Sequence, residues 1–410
     1  MTPTCRLERV VAGQDRRGGV NRDLLAGFVL LYALIYAAFG VASPFWPHYF
    51  ETRGVASEEL GLLLALGTAV RLVSGPAAGR IADRRRARRM VLASCLGIAG
   101  LVAFGLATAG GLLPLLLFSL FHAAALAPTT TLADALASRA AVAPGDGRSR
   151  RFEYGWVRGT GSAAFIIGTL LAGQMVGAIG LTSIVLLHAG LLVVSAFAVL
   201  LVPDTPSDRR PAAQDPASPE GGFSALMRIA VFRRLLLVVA LILGSHAMHD
   251  AFAVIRWTAA GIGPGTASLL WSLSVAAEVI VFFVVGPPLV ARVGPAAAAA
   301  IAALAGLARW SIMALTADPL VLALVQPFHG ATFALLHLAC IRILTQSVPP
   351  ELAATGQAVY AVASGAATAL LTLAAGVLYA RYGATAFFAM AALCGLALPL
   401  TRGLRSAGGS

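Results

Sequence analysis

The chain has no lysine: all 30 of its basic residues are arginine, a bias that high genomic GC content explains without a structural cause. Charge of either sign is scarce, 12% of 410 residues against about 25% in an ordinary soluble domain. That leaves too little polar surface to clothe a water-soluble globule. The four cysteines, Cys5, Cys95, Cys340 and Cys394, lie far apart with no C-x-x-C, which excludes a disulfide framework or a thiolate metal site. Three of them fall inside apolar runs, where a thiol behaves as a small hydrophobe. There is no P-loop, zinc signature or nucleophile elbow, so neither coupling to ATP nor enzymatic chemistry is expected, and no metal or cofactor is called for. No Ala-x-Ala-like cleavage site follows the first apolar stretch, which therefore reads as a retained helix rather than a removed signal peptide.

What the chain has in abundance is apolar length, with 59% hydrophobic residues and a mean hydropathy of +0.84. A helix needs about 20 apolar residues to cross a bilayer core, and twelve such stretches occur. The first six cover 24–46, 60–82, 90–108, 112–138, 154–178 and 182–202; the second six cover 235–257, 266–288, 295–315, 319–343, 354–379 and 384–401. Between the sets, 203–234 holds Pro203, Pro206, Pro211, Pro216 and Pro219 with charges of both signs, the composition of an extended linker. The expected fold class is an all-α membrane protein with twelve transmembrane helices in two six-helix halves, 24–202 and 235–401, and tails at 1–23 and 402–410.

The net charge of +12 could suggest nucleic acid, but the arginines fall in short blocks between apolar runs rather than over a groove. On the twelve-span layout, 23 arginines lie on the side of the tails and linker, whereas the opposite side keeps Arg53 and Arg381. By the positive-inside tendency this predicts a multi-pass protein of the bacterial inner membrane with both termini cytoplasmic. The densest block, Gly79 to Arg89, carries six arginines and Asp83. It cannot lie in hydrocarbon and reads as a cytoplasmic turn. Gly79, Asp83, Arg84 and Arg88 are its candidate gating or structural residues.

Ionisable residues within spans normally face the bundle interior and pair there, and by default they mark a substrate or ion pathway. In the tenth span, Gln326, His329, Phe333 and His337 share one helical face. Histidine gains or loses a proton near neutrality, which suits proton coupling. In the eighth span, Trp271, Ser274 and Glu278 form a stripe, with Arg309 of the ninth span a plausible neighbour for Glu278. The seventh span carries His246, His249 and Asp250; Arg256 and Trp257 read as interfacial anchors. In the N-terminal half, Arg71 has no local acid and is the first choice for an anion-binding group. Asp134 and Arg158 lie at equal depth near the cytoplasmic side, which predicts a structural or gating bridge between them. Tyr32 and Tyr36 are spaced as an aromatic stripe that serves either packing or substrate contact.

The spacing Gly79-x-x-x-Asp83-Arg84-x-x-x-Arg88 resembles the loop between the second and third helices of the major facilitator superfamily. Further strings recur in order: Ser43-Pro44-Phe45-Trp46-Pro47, Tyr154-Gly155-Trp156-Val157-Arg158, Leu270-Trp271-Ser272-Leu273 with Ala277-Glu278, Arg309-Trp310, and Gln326-Pro327-Phe328-His329 through Thr332-Phe333 to His337. Together they resemble the phenylpropionate permease family, relatives of the lactose and nucleoside proton symporters. The resemblance implies a permease driven by the proton gradient and working by alternating access. It also implies coupling residues: Glu278, Arg309 and His329 match the helix 8 glutamate, helix 9 arginine and helix 10 histidine of the lactose-type relatives, with His337 as a further candidate. Those relatives carry a glutamate one turn after the histidine, where this chain has Thr332; the usual central glycine of the loop is here Arg86. The expected substrate is a small aromatic or aliphatic carboxylate, with Arg71, Tyr32, Tyr36, His249, Trp271 and Gln326 as candidate contacts. Its expected partners are that solute, protons and the lipid bilayer, and the protein is expected to act as a monomer. Sugar or nucleoside symport, proton-driven efflux of amphipathic compounds and a non-transporting membrane sensor remain the alternatives.

Overall fold

The computed structural model describes residues 22–141, 152–202 and 222–404. Long apolar helices dominate them: α1 (Asp23–Ala42), α2 (Ser57–Arg85), α3 (Arg88–Thr108), α4 (Leu112–Ala141), α5 (Tyr154–Ile179), α6 (Thr182–Leu201), α7 (Ala230–Ala259), α8 (Pro264–Val293), α9 (Pro295–Leu315) and α10 (Pro319–Ser347). A final helical stretch, Pro350–Leu404, is long enough to cross twice. It breaks at Gly383, where φ is +55°, into α11 (Ala353–Tyr382) and α12 (Phe387–Thr401). Near the end of α11, Gly376 packs on Gly61 at the start of α2, whereas just beyond α12 the Gly403 carbonyl accepts from Arg234 at the start of α7. The chain therefore returns across the bundle, and the described residues contain twelve spans.

Several boundaries differ from the expected ones: α8 and α10 run on to Val293 and Ser347 where 288 and 343 were expected, and two further differences have a clear cause. Pro44 and Pro47 lack the N–H groups that would continue α1, so Trp46 leaves the first span and opens a separate short helix, Trp46–Thr52. The extended-linker reading of 203–234 is corrected at its C-terminal end: Gly222–Arg228 is helical and α7 begins at Ala230. Residues 1–21, 142–151 with their arginines, 203–221 and 405–410 lie outside the described residues.

Close inter-half packing occurs on the side away from the arginine-rich turn. A Cβ on Gly61 would lie 2.9 Å from the Gly376 Cα, and one on Gly173 would lie 2.1 Å from the Ser268 Oγ. Gly79, Gly155 and Gly159, at the arginine-rich side, face open space instead. The halves are thus sealed at one face and parted at the other. In the turn itself Asp83 accepts from Arg88 at 2.7 Å (Nε), and Arg86 occupies the left-handed region with φ +52°, ending α2. That is a C-terminal position where glycine is the low-cost residue.

Both helices that meet at the C-terminal core contain a π-helical turn: Val281–Val285 in α8 and Gly330–Leu335 in α10. They touch through Gly330, where a Cβ would lie 2.7 Å from the Ala277 carbonyl oxygen. π-turns are rare and concentrate at functional sites.

Candidate functional site

Arg309, fully buried in α9, organises the centre of the C-terminal half. One of its terminal nitrogens lies 3.0 Å from His329 Nδ1. The other lies 2.8 Å from Gln326 Oε1 and 3.4 Å from His249 Nε2. A guanidinium can only donate, so each imidazole nitrogen facing Arg309 is an acceptor. A neutral His329 therefore carries its proton on Nε2, which lies 3.4 Å from Glu278 Oε2. A neutral His249 carries its proton on Nδ1, 3.2 Å from Asp250 Oδ1. The result is a continuous chain, Asp250–His249–Arg309–His329–Glu278, in which each histidine sits between the shared cation and its own carboxylate.

The surroundings hold this chain in place. Ser274 Oγ donates to Gln326 Oε1 at 2.8 Å, the Arg309 guanidinium lies 4.4 Å from the Trp310 ring centre, and Trp271 stacks on His249 at 4.8 Å. Phe333 stacks on His329 at 5.5 Å. Thr332 donates to the His329 carbonyl, so its hydroxyl oxygen accepts from His246 Nε2 at 2.9 Å. The place where the lactose-type relatives carry a glutamate is thus a neutral hydroxyl engaged by histidine.

Of the residues expected at the site, Glu278, Arg309, His329, His249 and Gln326 come together, with Trp271 behind them. His337 has no hydrogen bond into this chain among the described residues: it packs on Phe282 at 5.6 Å and lines a pocket with Arg342, within electrostatic range of Glu278. Tyr32 is fully buried and its hydroxyl donates to Asp134, so it offers no surface to a solute. Tyr36 stacks on Tyr32 and carries the Arg158 guanidinium 4.8 Å above its ring. The expected Asp134–Arg158 bridge is absent. Asp134 is held by the hydroxyls of Tyr32 and Tyr154 (2.7 Å) instead. Equal depth along the bilayer normal does not fix rotation about the helix axis, and two phenols reach the carboxylate first. Arg158 is left over Tyr36, within electrostatic range of Glu278 across the interface between the halves. Arg256 is buried, donating to the Thr316 carbonyl at 2.9 Å, and Trp257 is fully buried, so neither is an exposed anchor.

A cavity of about 640 Å³ lies between the halves. Arg71 opens onto it from α2, and among the described residues it has neither a hydrogen bond nor an ion pair. Asp250 faces it from α7 with its side chain 57% exposed, so one end of the Arg309 chain reaches the cavity. Trp46, His122 and His188 complete the wall beside Arg71. These three, and Asp250, are not among the expected site residues. Their signal was nevertheless present: polar or aromatic residues inside or next to apolar runs, three in the N-terminal half and Asp250 in the seventh span. Among the described residues no group of His, Cys, Asp and Glu has a metal-binding arrangement.

A family model described as "MFS_1 like family" matches residues 25–390. A probable 3-phenylpropionic acid transporter of Escherichia coli (strain K12) is 33% identical over 372 residues, covering 88% of this chain and 92% of that one. Among solved structures, a mutant of the nucleoside transporter NupG superimposes with a TM-score of 0.83 at 18% identity, over 93% of this chain and 100% of that one. A D-xylose-proton symporter superimposes with a TM-score of 0.67 at 15% identity, over 92% and 97% of the respective chains.

Proposed function

Because this chain belongs to the MFS_1-like family of the major facilitator superfamily, whose members here are transporters and not enzymes, we propose that it imports a small organic carboxylate together with protons. The observation that carries the reading is the Asp250–His249–Arg309–His329–Glu278 chain. It holds one permanent cation against two carboxylates. Asp250 opens onto the cavity, whereas Glu278 is largely enclosed by protein, where an uncompensated negative charge is costly, so the cluster is built to hold one exchangeable proton at that end. The histidines between the carboxylates and Arg309 supply a hydrogen-bonded route for it. Because Asp250 faces the cavity, a solute bound there changes the electrostatic energy of that proton, which is the link a symporter requires.

Arg71 is the anion-binding group in this reading, since it presents a cation unpaired among the described residues to a cavity that Trp46 also lines. The name of the 33%-identical relative supports an aromatic carboxylate as solute, and that of the xylose symporter supports proton coupling in this fold. The arginine bias assigns the open face to the cytoplasm, with both termini on that side of a bacterial inner membrane. Alternating access then consists of parting the Gly61–Gly376 and Gly173–Ser268 contacts while the arginine-rich face closes. Each half contributes to one cavity within a single chain, so a monomer suffices.

The test is uptake into right-side-out vesicles of 3-phenylpropionate, xylose and a nucleoside, with and without an inward proton gradient. Gradient-stimulated uptake of the carboxylate, abolished in Arg71→Gln, is expected. Gradient-stimulated uptake of the sugar or nucleoside alone overturns the carboxylate assignment.

A further inference from the structure

The N-terminal half contains a second histidine cluster that the C-terminal network does not use. His188 Nδ1 lies 2.8 Å from the Ala38 carbonyl, and His188 Nε2 lies 2.9 Å from His122 Nε2. A carbonyl only accepts, so His188 Nδ1 carries a proton. In neutral His188 the Nε2 is then an acceptor, and His122 must donate to it from Nε2. This leaves His122 Nδ1 as the free nitrogen of the pair. Among the described residues that nitrogen has no hydrogen-bond partner, and it is not among the atoms sealed from solvent. His122 itself lines the cavity, with Trp46 stacked on its ring at 5.4 Å. One helical turn earlier, Ser119 Oγ is buried in the same wall with no hydrogen-bond partner among the described residues.

The charged and titratable groups around His122 are few. His188 comes from α6, and Arg71 from α2 lies within electrostatic range of both imidazoles. Asp250 of α7 faces the cavity from the other half, and α3, which packs on α4, carries Cys95 besides its terminal arginines. Beside Arg71, a second cation at His122 is repelled unless an anion lies between them. A carboxylate held by Arg71 supplies that anion.

Resting on the carboxylate reading above, we propose that Arg71 and His122 form a subsite that binds a monocarboxylate together with one proton. The carboxylate accepts from the Arg71 guanidinium. A proton taken from cavity water sits between His122 Nδ1 and the ligand oxygen, with the hydroxide returning to bulk. Imidazole is the stronger base of the two, so the proton resides on His122 Nδ1 and the ligand is held as the carboxylate. His188, its orientation set by the Ala38 carbonyl, is a positioning residue that directs Nδ1 of His122 into the cavity. The solute thus crosses with a proton of its own, in addition to the one held by the Arg309 chain, and transport of a monoanion carries net positive charge inward.

The test is calorimetry of the full chain in detergent at pH 7.5, titrating 3-phenylpropionate in buffers of different ionisation enthalpy. In an Asp250→Asn/Glu278→Gln double variant, where the C-terminal carboxylates cannot titrate, binding is expected to take up about one proton per ligand. Adding His122→Gln, which keeps a donor toward His188 but does not titrate near neutrality, is expected to abolish that uptake. Proton uptake that persists in the triple variant, or its absence in the double variant, overturns the proposal. A second measurement uses the unmodified protein. Its ¹⁵N-histidine spectrum, with the His122 signal identified by its loss in His122→Gln, should change to the imidazolium pattern on adding 3-phenylpropionate but not on adding the uncharged 3-phenylpropanamide. An unchanged signal with bound carboxylate overturns this subsite and leaves the carboxylate reading standing. Failure of carboxylates to bind at all, with a sugar or nucleoside binding instead, overturns both.

Discussion

Replacing Glu278 by Gln tests the charge argument most directly. The substitution removes one of the two carboxylates served by Arg309 while keeping the shape and an acceptor 3.4 Å from His329 Nε2. The remaining chain, Asp250–His249–Arg309–His329, is then electroneutral with no exchangeable proton, so one proton is lost from each transport cycle. One pH unit across the membrane is worth about 1.4 kcal/mol per coupled proton, a factor of ten in accumulation. In vesicles held at a one-unit pH gradient with the membrane potential clamped at zero, steady-state accumulation of 3-phenylpropionate should fall about tenfold relative to the wild type. Counterflow exchange, which needs no net proton movement, should persist. Accumulation equal to the wild type at the same gradient would refute the assignment of the exchangeable proton to this cluster.

Three further outcomes follow from particular contacts. Arg309→Met leaves His249 and His329 without their donor, Gln326 Oε1 with Ser274 alone and both carboxylates without their cation, and should lower stability by about 3–5 kcal/mol, read as a reduced thermal midpoint in detergent. Arg86→Gly removes the Cβ from a residue at φ +52° and should raise stability by about 1 kcal/mol, measured the same way. Gly376→Val places a side chain against the Gly61 backbone, where nothing can yield, and should favour the state parted on that face. The check is faster thiol labelling of a cysteine introduced at Ser57, and an unchanged rate would show that the glycine contact does not govern closure.

The Glu278, Arg309 and His329 positions were legible because a recurring string of residues pointed to them, but the chain they belong to was not. His249 was expected to line the cavity and is instead 2% exposed, bridging Arg309 to Asp250. Helical periodicity placed Gln326, His329, Phe333 and His337 on one face. The π-turn at Gly330–Leu335 changes the residues per turn, and His337 packs against Phe282, within electrostatic range of Glu278 but not hydrogen-bonded to the chain. Depth placed Asp134 level with Arg158, yet the carboxylate is taken by Tyr32 and Tyr154.

From the amino-acid order alone came the twelve crossings, the two halves and the expected orientation. Each depends on properties local to a stretch of chain: apolar length against bilayer thickness, and arginine on one side of it. Partner choice among buried polar groups depends on rotation about helix axes and on which backbones approach closely. Those are set by packing among helices far apart in sequence. Only the tertiary structure could therefore bring Asp250 and Glu278 to opposite ends of one arginine. Only it could set His122, paired through Nε2 to His188, in the wall of the cavity that Arg71 faces.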